Sequence, residues 1–213
     1  MKLWDYEAFI LDLDGTLIDS GKYHARAFAD AVLAHSGYVL TPAEHHEFFG
    51  SHSTWFSRTL NERYGLGLDP ESVLESKRVR MRDIFMVELY EGVHEFLSFW
   101  HGKRPMALAT NSPRSFVQPS LAEADLTRYF DCIVTSDDVT HRKPDPEMFE
   151  FAIQRLCVDP LHTLVFEDQM IGIEAARKAG VQVVAVDNGQ PVEFPVDVPI
   201  HTWVDLLRFS ERS

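Results

Sequence analysis

Four short polar clusters could do chemistry together: Asp12-Leu13-Asp14-Gly15-Thr16, Thr110-Asn111-Ser112, Lys143 in His141-Arg142-Lys143-Pro144, and Glu167-Asp168. Singly each is weak, since Asp-x-Asp-Gly is common in turns and Glu-Asp ahead of a helix is a usual cap or dipole partner. A calcium loop of the EF-hand type is excluded. It needs glycine sixth and glutamate twelfth, whereas Gly15 is fourth from Asp12 and Tyr23 is twelfth. Gathered in one crevice, Asp12, Asp14, Glu167 and Asp168 against Lys143 alone would leave three net negative charges. Their repulsion over a few ångströms amounts to several kcal/mol in a partly buried site, so the cluster calls for a divalent cation. Hard oxygen donors with no His or Cys beside them point to Mg²⁺ rather than zinc. With such an ion in place, one proton would bring the site to neutrality, and on Asp14 that proton would make a general acid.

The elements that must position these residues are legible as short apolar runs. Ala8-Phe9-Ile10-Leu11, Met106-Ala107-Leu108-Ala109, Cys132-Ile133-Val134, Leu164-Val165-Phe166 and Val183-Val184-Ala185-Val186 are continuous rather than alternating, as strands covered on both faces require. Helical stretches near 92–101, 114–124, 146–156 and 172–179 separate the later runs, and Gly180 reads as a helix C-cap. Strands alternating with helices predict an α/β chain with a Rossmann-like, doubly wound parallel sheet. In such a sheet ligands bind beyond the carboxyl ends of the strands, and each polar cluster directly follows a run or lies a few residues past one. The first and second runs are nearly a hundred residues apart, far more than a crossover needs. Helical spacing over roughly 22–36, and through Val73, Leu74, Met81, Phe85 and Leu89 after Asp69-Pro70, predicts an inserted α-helical cap domain over 19–88, with the core formed by 1–18 and 89–213.

The four clusters, in this order and with similar separations, resemble the motifs of the haloacid dehalogenase superfamily of aspartate-dependent phosphotransferases. Asp12-x-Asp14-Gly15-Thr16, Thr110-Asn111, Lys143-Pro144, and Glu167-Asp168 followed by Gly172-Ile173-x-Ala175-Ala176 carry the likeness over nearly the whole chain. The resemblance implies Asp12 as a nucleophile that becomes an aspartyl-phosphate, and Asp14 as the acid that protonates the leaving oxygen and then activates water. It implies Thr110 hydrogen-bonded to the phosphoryl oxygens with the Asn111 amide beside it, and Lys143 offsetting charge on nucleophile and phosphate. Mg²⁺ would be held by Asp12, the Asp14 carbonyl and Asp168, assisted by Glu167. Dehalogenation itself uses no metal, which would leave the acidic pair and Asp14 without a purpose.

The insert is similar in place and size to the helical cap of the family's cap-bearing members. There His24 occupies a position similar to a cap histidine of β-phosphoglucomutases and related sugar phosphatases, and Lys22, His24 and Gly50-Ser51-His52-Ser53-Thr54-Trp55 are candidate substrate contacts. Arg58, Lys77, Arg78 and Arg80 read as a solvated helix face. The stretches Trp100-His101-Gly102-Lys103-Arg104-Pro105-Met106-Ala107 and Val139-Thr140-His141-Arg142-Lys143-Pro144 look like those of small bacterial sugar phosphatases that accept fructose 1-phosphate and similar esters. Ser53 stands roughly where a mutase would have an arginine for the distal phosphate. The expectation is therefore a Mg²⁺-dependent phosphatase of small sugar or polyol phosphates, with a phosphosugar mutase as the same-fold alternative. A receiver domain also pairs a phosphorylated Asp with Thr, Lys and Mg²⁺, but its acidic pair comes first in the chain and it carries no such insert. A catalytically silent phosphate-binding protein is opposed by the presence of every motif residue.

The 213 residues carry 33 acidic against 20 basic side chains, a net charge of −13, which is the wrong sign for a nucleic-acid partner. At 45% hydrophobic and 25% charged residues the chain can bury a substantial core. No apolar run approaches a membrane span, and the start lacks the features of a signal peptide, so a cytoplasmic protein without a membrane partner is expected, with Cys132 and Cys157 as free thiols. The expected partner is a small phosphorylated metabolite, and the expected state a monomer or weak dimer.

Overall fold

A computed structural model of the chain describes residues 2–48, 51–189, 194–195 and 197–211. The chain divides into two compact units, Met1–Asp19 with Val87–Ser213, and Ser20–Met86. In chain order the elements are β1 (Ala8–Leu11), α1 (Gly21–Ser36), α2 (Pro42–Phe48), α3 (Ser53–Tyr64), α4 (Pro70–Ile84), α5 (Val93–Trp100), β2 (Met106–Ala109), α6 (Arg114–Glu123), β3 (Cys132–Val134), α7 (Glu147–Leu156), β4 (Thr163–Glu167), α8 (Met170–Lys178), β5 (Gln182–Val186), β6 (Ile200–His201) and α9 (Trp203–Ser210), with short 3₁₀ turns between.

Among the described residues of the larger unit, six strands form one all-parallel sheet in the order β3-β2-β1-β4-β5-β6. The chain winds from β1 outward to β3, then returns to β4 on the other side of β1, so the winding reverses beside β1 and opens a crevice beyond its carboxyl end. Alternate residues of β1 face opposite layers, the period of an extended chain. Ile10, with Ala107, Ala109, Val134, Val165 and Val183, packs against Met148, Phe149 and Ala152 of α7 and Ile173, Ala175 and Ala176 of α8. Phe9 meets Trp100 at 4.9 Å and Phe166 at 5.6 Å, and Phe96 meets Trp203 at 4.9 Å, building an aromatic layer under α5 and α9. The indole N–H groups of that layer are bonded, Trp100 to Ser210 Oγ (2.8 Å) and Trp203 to the Thr16 carbonyl (2.7 Å).

Among its described residues the smaller unit is helical, packed around Phe28, Val32, Phe48, Phe56, Leu60 and Val73, with the Phe28 and Phe48 rings stacked at 4.3 Å. Its helix ends are written in the sequence. Thr41 and Glu44 form a capping box at the start of α2: Thr41 N–H donates to Glu44 Oε2 (2.7 Å) and Glu44 N–H to Thr41 Oγ1 (3.3 Å). Asp69 accepts from Ser72 N–H (3.0 Å) ahead of Pro70, and Gly37 and Gly65 end α1 and α3 in the left-handed conformation.

Four differences from the sequence reading have physical causes. The helical spacing does not run on to Leu89: α4 stops at Ile84, Phe85 is extended, and Leu89 bridges Ile18. There two segments of the larger unit run side by side, with Asp19 N–H on the Glu88 carbonyl (2.8 Å) and Tyr90 N–H on the Leu17 carbonyl (3.1 Å). Helices α2 and α3, short and rich in His, Ser and Thr, carry too little apolar periodicity to read from sequence. β6 has only two residues and so no periodicity to read, and α9 packs against α5 and the first 3₁₀ turn, far earlier in the chain. Finally, two apart on an extended strand end, Asp12 and Asp14 would point to one side, but β1 ends at Leu11, so strand alternation does not set the direction of the Asp14 side chain.

Burial pushes the Glu44 carboxyl up, but hydrogen bonds from the Thr41 N–H and hydroxyl and from Tyr38 outweigh it and hold its pKa below the ordinary value. A lowered native pKa adds stability that is full above the unfolded-state pKa and is lost as pH falls through the native one. Glu44→Gln is expected to lower stability at neutral pH by about 1–2 kcal/mol. That difference should shrink as pH falls below about 4, as read by urea unfolding across a pH series.

Candidate active site

Asp12 follows β1 directly and its N–H donates to the Phe166 carbonyl of β4 (3.0 Å), which plants the side chain at the carboxyl end of the two central strands. Lys143 reaches it from the loop after β3. Its ammonium donates to Asp12 Oδ1 (2.6 Å), Glu167 Oε1 (2.6 Å) and the Ala109 carbonyl (2.7 Å), so all three of its protons are placed. Asp12 is 7% exposed and Lys143 5%. Removing one partner of such a buried pair strands the other's charge, at a cost of about 3–5 kcal/mol.

The Glu167 carboxylate is the hub of the acidic end. Besides Lys143 it accepts the N–H groups of Asp168 (3.0 Å) and Gln169 (3.2 Å) where α8 begins, an arrangement favourable to an anion. Asp168 accepts the Thr16 hydroxyl (2.9 Å) and the Asn188 amide (3.3 Å), and that same amide donates to the Gly15 carbonyl (2.6 Å). Two glycines make room for these carboxylates. Gly15 has φ +82°, and a Cβ there would fall on the Asp168 carboxylate; a Cβ on Gly172 would fall on that of Glu167.

Asp14 meets a different partner from Asp12. Its Oδ2 accepts the Ser112 hydroxyl at 2.6 Å. Thr110 follows β2, its N–H on the Val134 carbonyl (3.0 Å) and its hydroxyl accepting the Ser112 N–H (3.1 Å), which leaves the Thr110 O–H to give elsewhere. Asn111 is turned to the main chain of Lys143 rather than outward: its Oδ1 accepts the Lys143 N–H (3.0 Å) and its Nδ2 donates to the Lys143 carbonyl (3.3 Å). The structure therefore brings together Asp12, Lys143, Glu167 and Asp168, ties Asn111 to the lysine, and sets Thr110 and Asp14 on either side of Ser112. Lys22 and His24 belong to the other unit, in the first turns of α1, Lys22 exposed with its ammonium 5.3 Å from the Tyr23 ring centre and His24 half-buried. Gly50 lies outside the described residues.

Ser112 and Asn188, and the contact Thr16 makes, complete the site beyond the residues assigned from sequence. Asn188 could have been found by the same rule, being polar and just past the Val183–Val186 run. Trp203, which anchors the Thr16 carbonyl from far along the chain, had no local signal.

Electrostatically the site is overloaded with negative charge. Burial raises the Asp12 pKa well above the ordinary carboxylate value; Lys143 opposes the rise, while Glu167, Asp168 and Asp14 add to it. Burial, followed by the neighbouring Glu167 charge, raises Asp168 to about 8. Burial lowers the Lys143 pKa, but the charges of Asp12 and Glu167 more than reverse this and hold it protonated. Candidate ligand oxygens of Asp12, Glu167 and Asp168 lie within 4.8 Å of one another. An all-oxygen donor set crowded enough to resist ionisation fits a hard divalent cation.

The family model of the haloacid dehalogenase-like hydrolases matches residues 9–186. The chain belongs to this family. As a haloacid dehalogenase-like hydrolase it is similar to the Escherichia coli fructose-1-phosphate phosphatase YqaB, 35% identical over 85% of this chain and 96% of the relative. A phosphorylated carbohydrates phosphatase of Thermotoga maritima is 34% identical over 83% of this chain and 82% of its own length. Among solved structures, a candidate beta-phosphoglucomutase from Thermotoga maritima superposes with a TM-score of 0.74 at 28% identity, covering 95% of this chain and 97% of that one.

Gly172 lies in α8, where alanine would ordinarily favour the helix by about 1 kcal/mol. Because a Cβ there would displace a carboxylate pinned by three donors, Gly172→Ala is expected instead to destabilise the larger unit by about 1–3 kcal/mol. Denaturant unfolding of the two forms reads the sign directly.

Proposed function

We propose that this hydrolase is a Mg²⁺-dependent phosphatase of small phosphomonoesters, sugar or polyol phosphates foremost, acting through an aspartyl-phosphate on Asp12. The observation that carries the reading is the separation of two carboxylates only two residues apart, Asp12 bonded to the buried lysine and Asp14 to a serine hydroxyl. Environments that differ in this way suit a nucleophile whose ionised form a lysine favours and an acid that exchanges protons. The names of the relatives from Escherichia coli and Thermotoga maritima support the substrate class.

In the first half-reaction the Asp12 carboxylate attacks phosphorus, the ester P–O bond breaks, and its electron pair leaves on the substrate oxygen, which takes the proton from Asp14. Lys143 aims Asp12 and lowers the cost of ionising it, and the Thr110 hydroxyl donates to the phosphoryl oxygens as charge spreads over them. In the second half-reaction Asp14 takes a proton from water, the water oxygen attacks phosphorus, and the acyl-phosphate bond returns its electrons to Asp12. Asp12, the Asp14 carbonyl and Asp168, with Glu167 assisting, would hold Mg²⁺, which would supply charge neutralisation at the phosphoryl oxygens. Asn111 serves by holding the Lys143 backbone. We assign Lys22 and His24, with the helical insert as a cap, to substrate recognition, and place the enzyme in the cytoplasm as a monomer or weak dimer. No helix among the described residues is long and apolar enough to cross a membrane.

Phosphate release from a panel of hexose, pentose, polyol and nucleotide monophosphates, with Mg²⁺ and with EDTA, tests this reading. Release that needs Mg²⁺ and vanishes in Asp12→Asn is expected; interconversion of hexose phosphates without net release would mean a mutase instead. Independently of turnover, Mg²⁺ at a hundred times its Kd should stabilise the fold by about 2.7 kcal/mol. Calorimetric melting should show most of that gain lost in Asp168→Asn.

A further inference from the structure

Ligands bind a cation tightly when they stand in place before it arrives, and the partners that orient them contribute to affinity nearly as much as the ligands do. The weak link in this site is Gly15. It separates Asp14, whose carbonyl is a candidate ligand, from Thr16, and without a Cβ its dihedrals are the freest in the loop. Two hydrogen bonds hold it at φ +82°. Its N–H donates to the Ile18 carbonyl (2.9 Å), which fixes the peptide before it, and its carbonyl accepts the Asn188 side-chain amide (2.6 Å), which fixes the peptide after it. A carbonyl takes only donors, so this contact also settles which end of the Asn188 amide faces the site. The same Nδ2, with two protons to give, reaches Asp168 Oδ2 (3.3 Å), while the Thr16 hydroxyl donates to Asp168 Oδ1 (2.9 Å). Asn188 itself follows the end of β5, the strand paired with β4, which leads into the acidic pair.

We propose that Asn188 is a positioning residue for the cation: by bridging the Gly15 carbonyl and Asp168 Oδ2 it braces the loop after β1 against the acid after β4, and so sets the affinity for Mg²⁺. The inference rests on the Mg²⁺-dependent reading above and adds to it a residue outside the Asp, Thr, Lys and acidic-pair set. The physical argument is one of preorganisation. Thr16 is tied down twice, through its hydroxyl to Asp168 and through its carbonyl to the Trp203 indole N–H (2.7 Å), so it keeps its place when Asn188 is cut back. Gly15 does not, because its carbonyl loses the amide that holds it, and Asp168 loses the donor on Oδ2 in the same step. The loop and the carboxylate must then be ordered at the moment of binding, which weakens it. Once bound, the ion would hold the two segments itself, so the loss falls on affinity rather than on the chemical step.

Titration calorimetry with Mg²⁺ and no ester reads this role without turnover. Asn188→Ala is expected to raise the Mg²⁺ Kd about 10- to 100-fold. Its phosphate release from the best ester of the panel should fall at low Mg²⁺, and its kcat should return to within about threefold of the unmodified chain once Mg²⁺ exceeds the new Kd. Asn188→Ser, whose shorter side chain does not span the two acceptors, carries the same expectation and replaces alanine if that variant does not fold. A Kd within about twofold of the unmodified chain would overturn the proposal. So would a deficit in kcat that persists at saturating Mg²⁺, which would point to a contact with the reacting groups instead. Failure of both variants to fold would overturn it in favour of a role in the fold alone. Failure of the phosphatase reading is distinguishable, because the unmodified chain would then bind Mg²⁺ in the calorimeter and release no phosphate from any ester.

Discussion

The buried ammonium of Lys143 is the constraint on which the larger unit's site depends. Its three protons are spent on the carboxylate that follows β1, the carbonyl that ends β2 and the carboxylate that ends β4, so one side chain ties three neighbouring strand ends together. The lysine is itself placed by Asn111, which grips its main chain at both ends. Burying this much charge is costly, and the upward pull on the Asp12 and Asp168 carboxyls shows that the protein alone does not offset it. A site built this way is unbalanced until a cation and a phosphoryl group enter it, and an unbalanced, preorganised set of charges is what phosphoryl transfer uses.

Around that centre the fold supplies positions rather than chemistry. The parallel sheet delivers Asp12, Thr110 and Glu167 at the ends of adjacent strands, and the reversal of winding beside β1 leaves the crevice open there. The aromatic layer reaches the site as well, because Trp203, packed on Phe96 and Phe166, donates to the Thr16 carbonyl while the Thr16 hydroxyl donates to Asp168. Docking α9 is therefore part of building the active site, although α9 carries no reacting group.

Much of this was legible in the sequence, for reasons that can be named. Strands buried on both faces must be continuously apolar, so five of the six strands announce themselves, and a polar cluster just past four of them marks the crevice. The Asp12–Lys143 contact follows from charge, since a buried lysine has few other uses beside four acids. What stayed hidden depends on partners distant in the chain or on rotamers. The Asp14–Ser112 bond needs β1 to end at Leu11 and the Thr110 loop to fold back on itself. Asn111 reads as a ligand of phosphate until its two bonds to the Lys143 backbone are seen, and β6, of only two residues, has no periodicity to detect.

The central claim is that the Asp12 carboxylate, aimed by Lys143, takes the phosphoryl group. Acid quench of the unmodified chain within a single turnover on its best ester with Mg²⁺, followed by peptide mass mapping, tests it most directly. The account predicts one acid-stable phosphoryl group on the peptide that contains Asp12, and none in Asp12→Asn. A phosphoryl group mapped to any other residue, or phosphate release by Asp12→Asn at the unmodified rate, would contradict it.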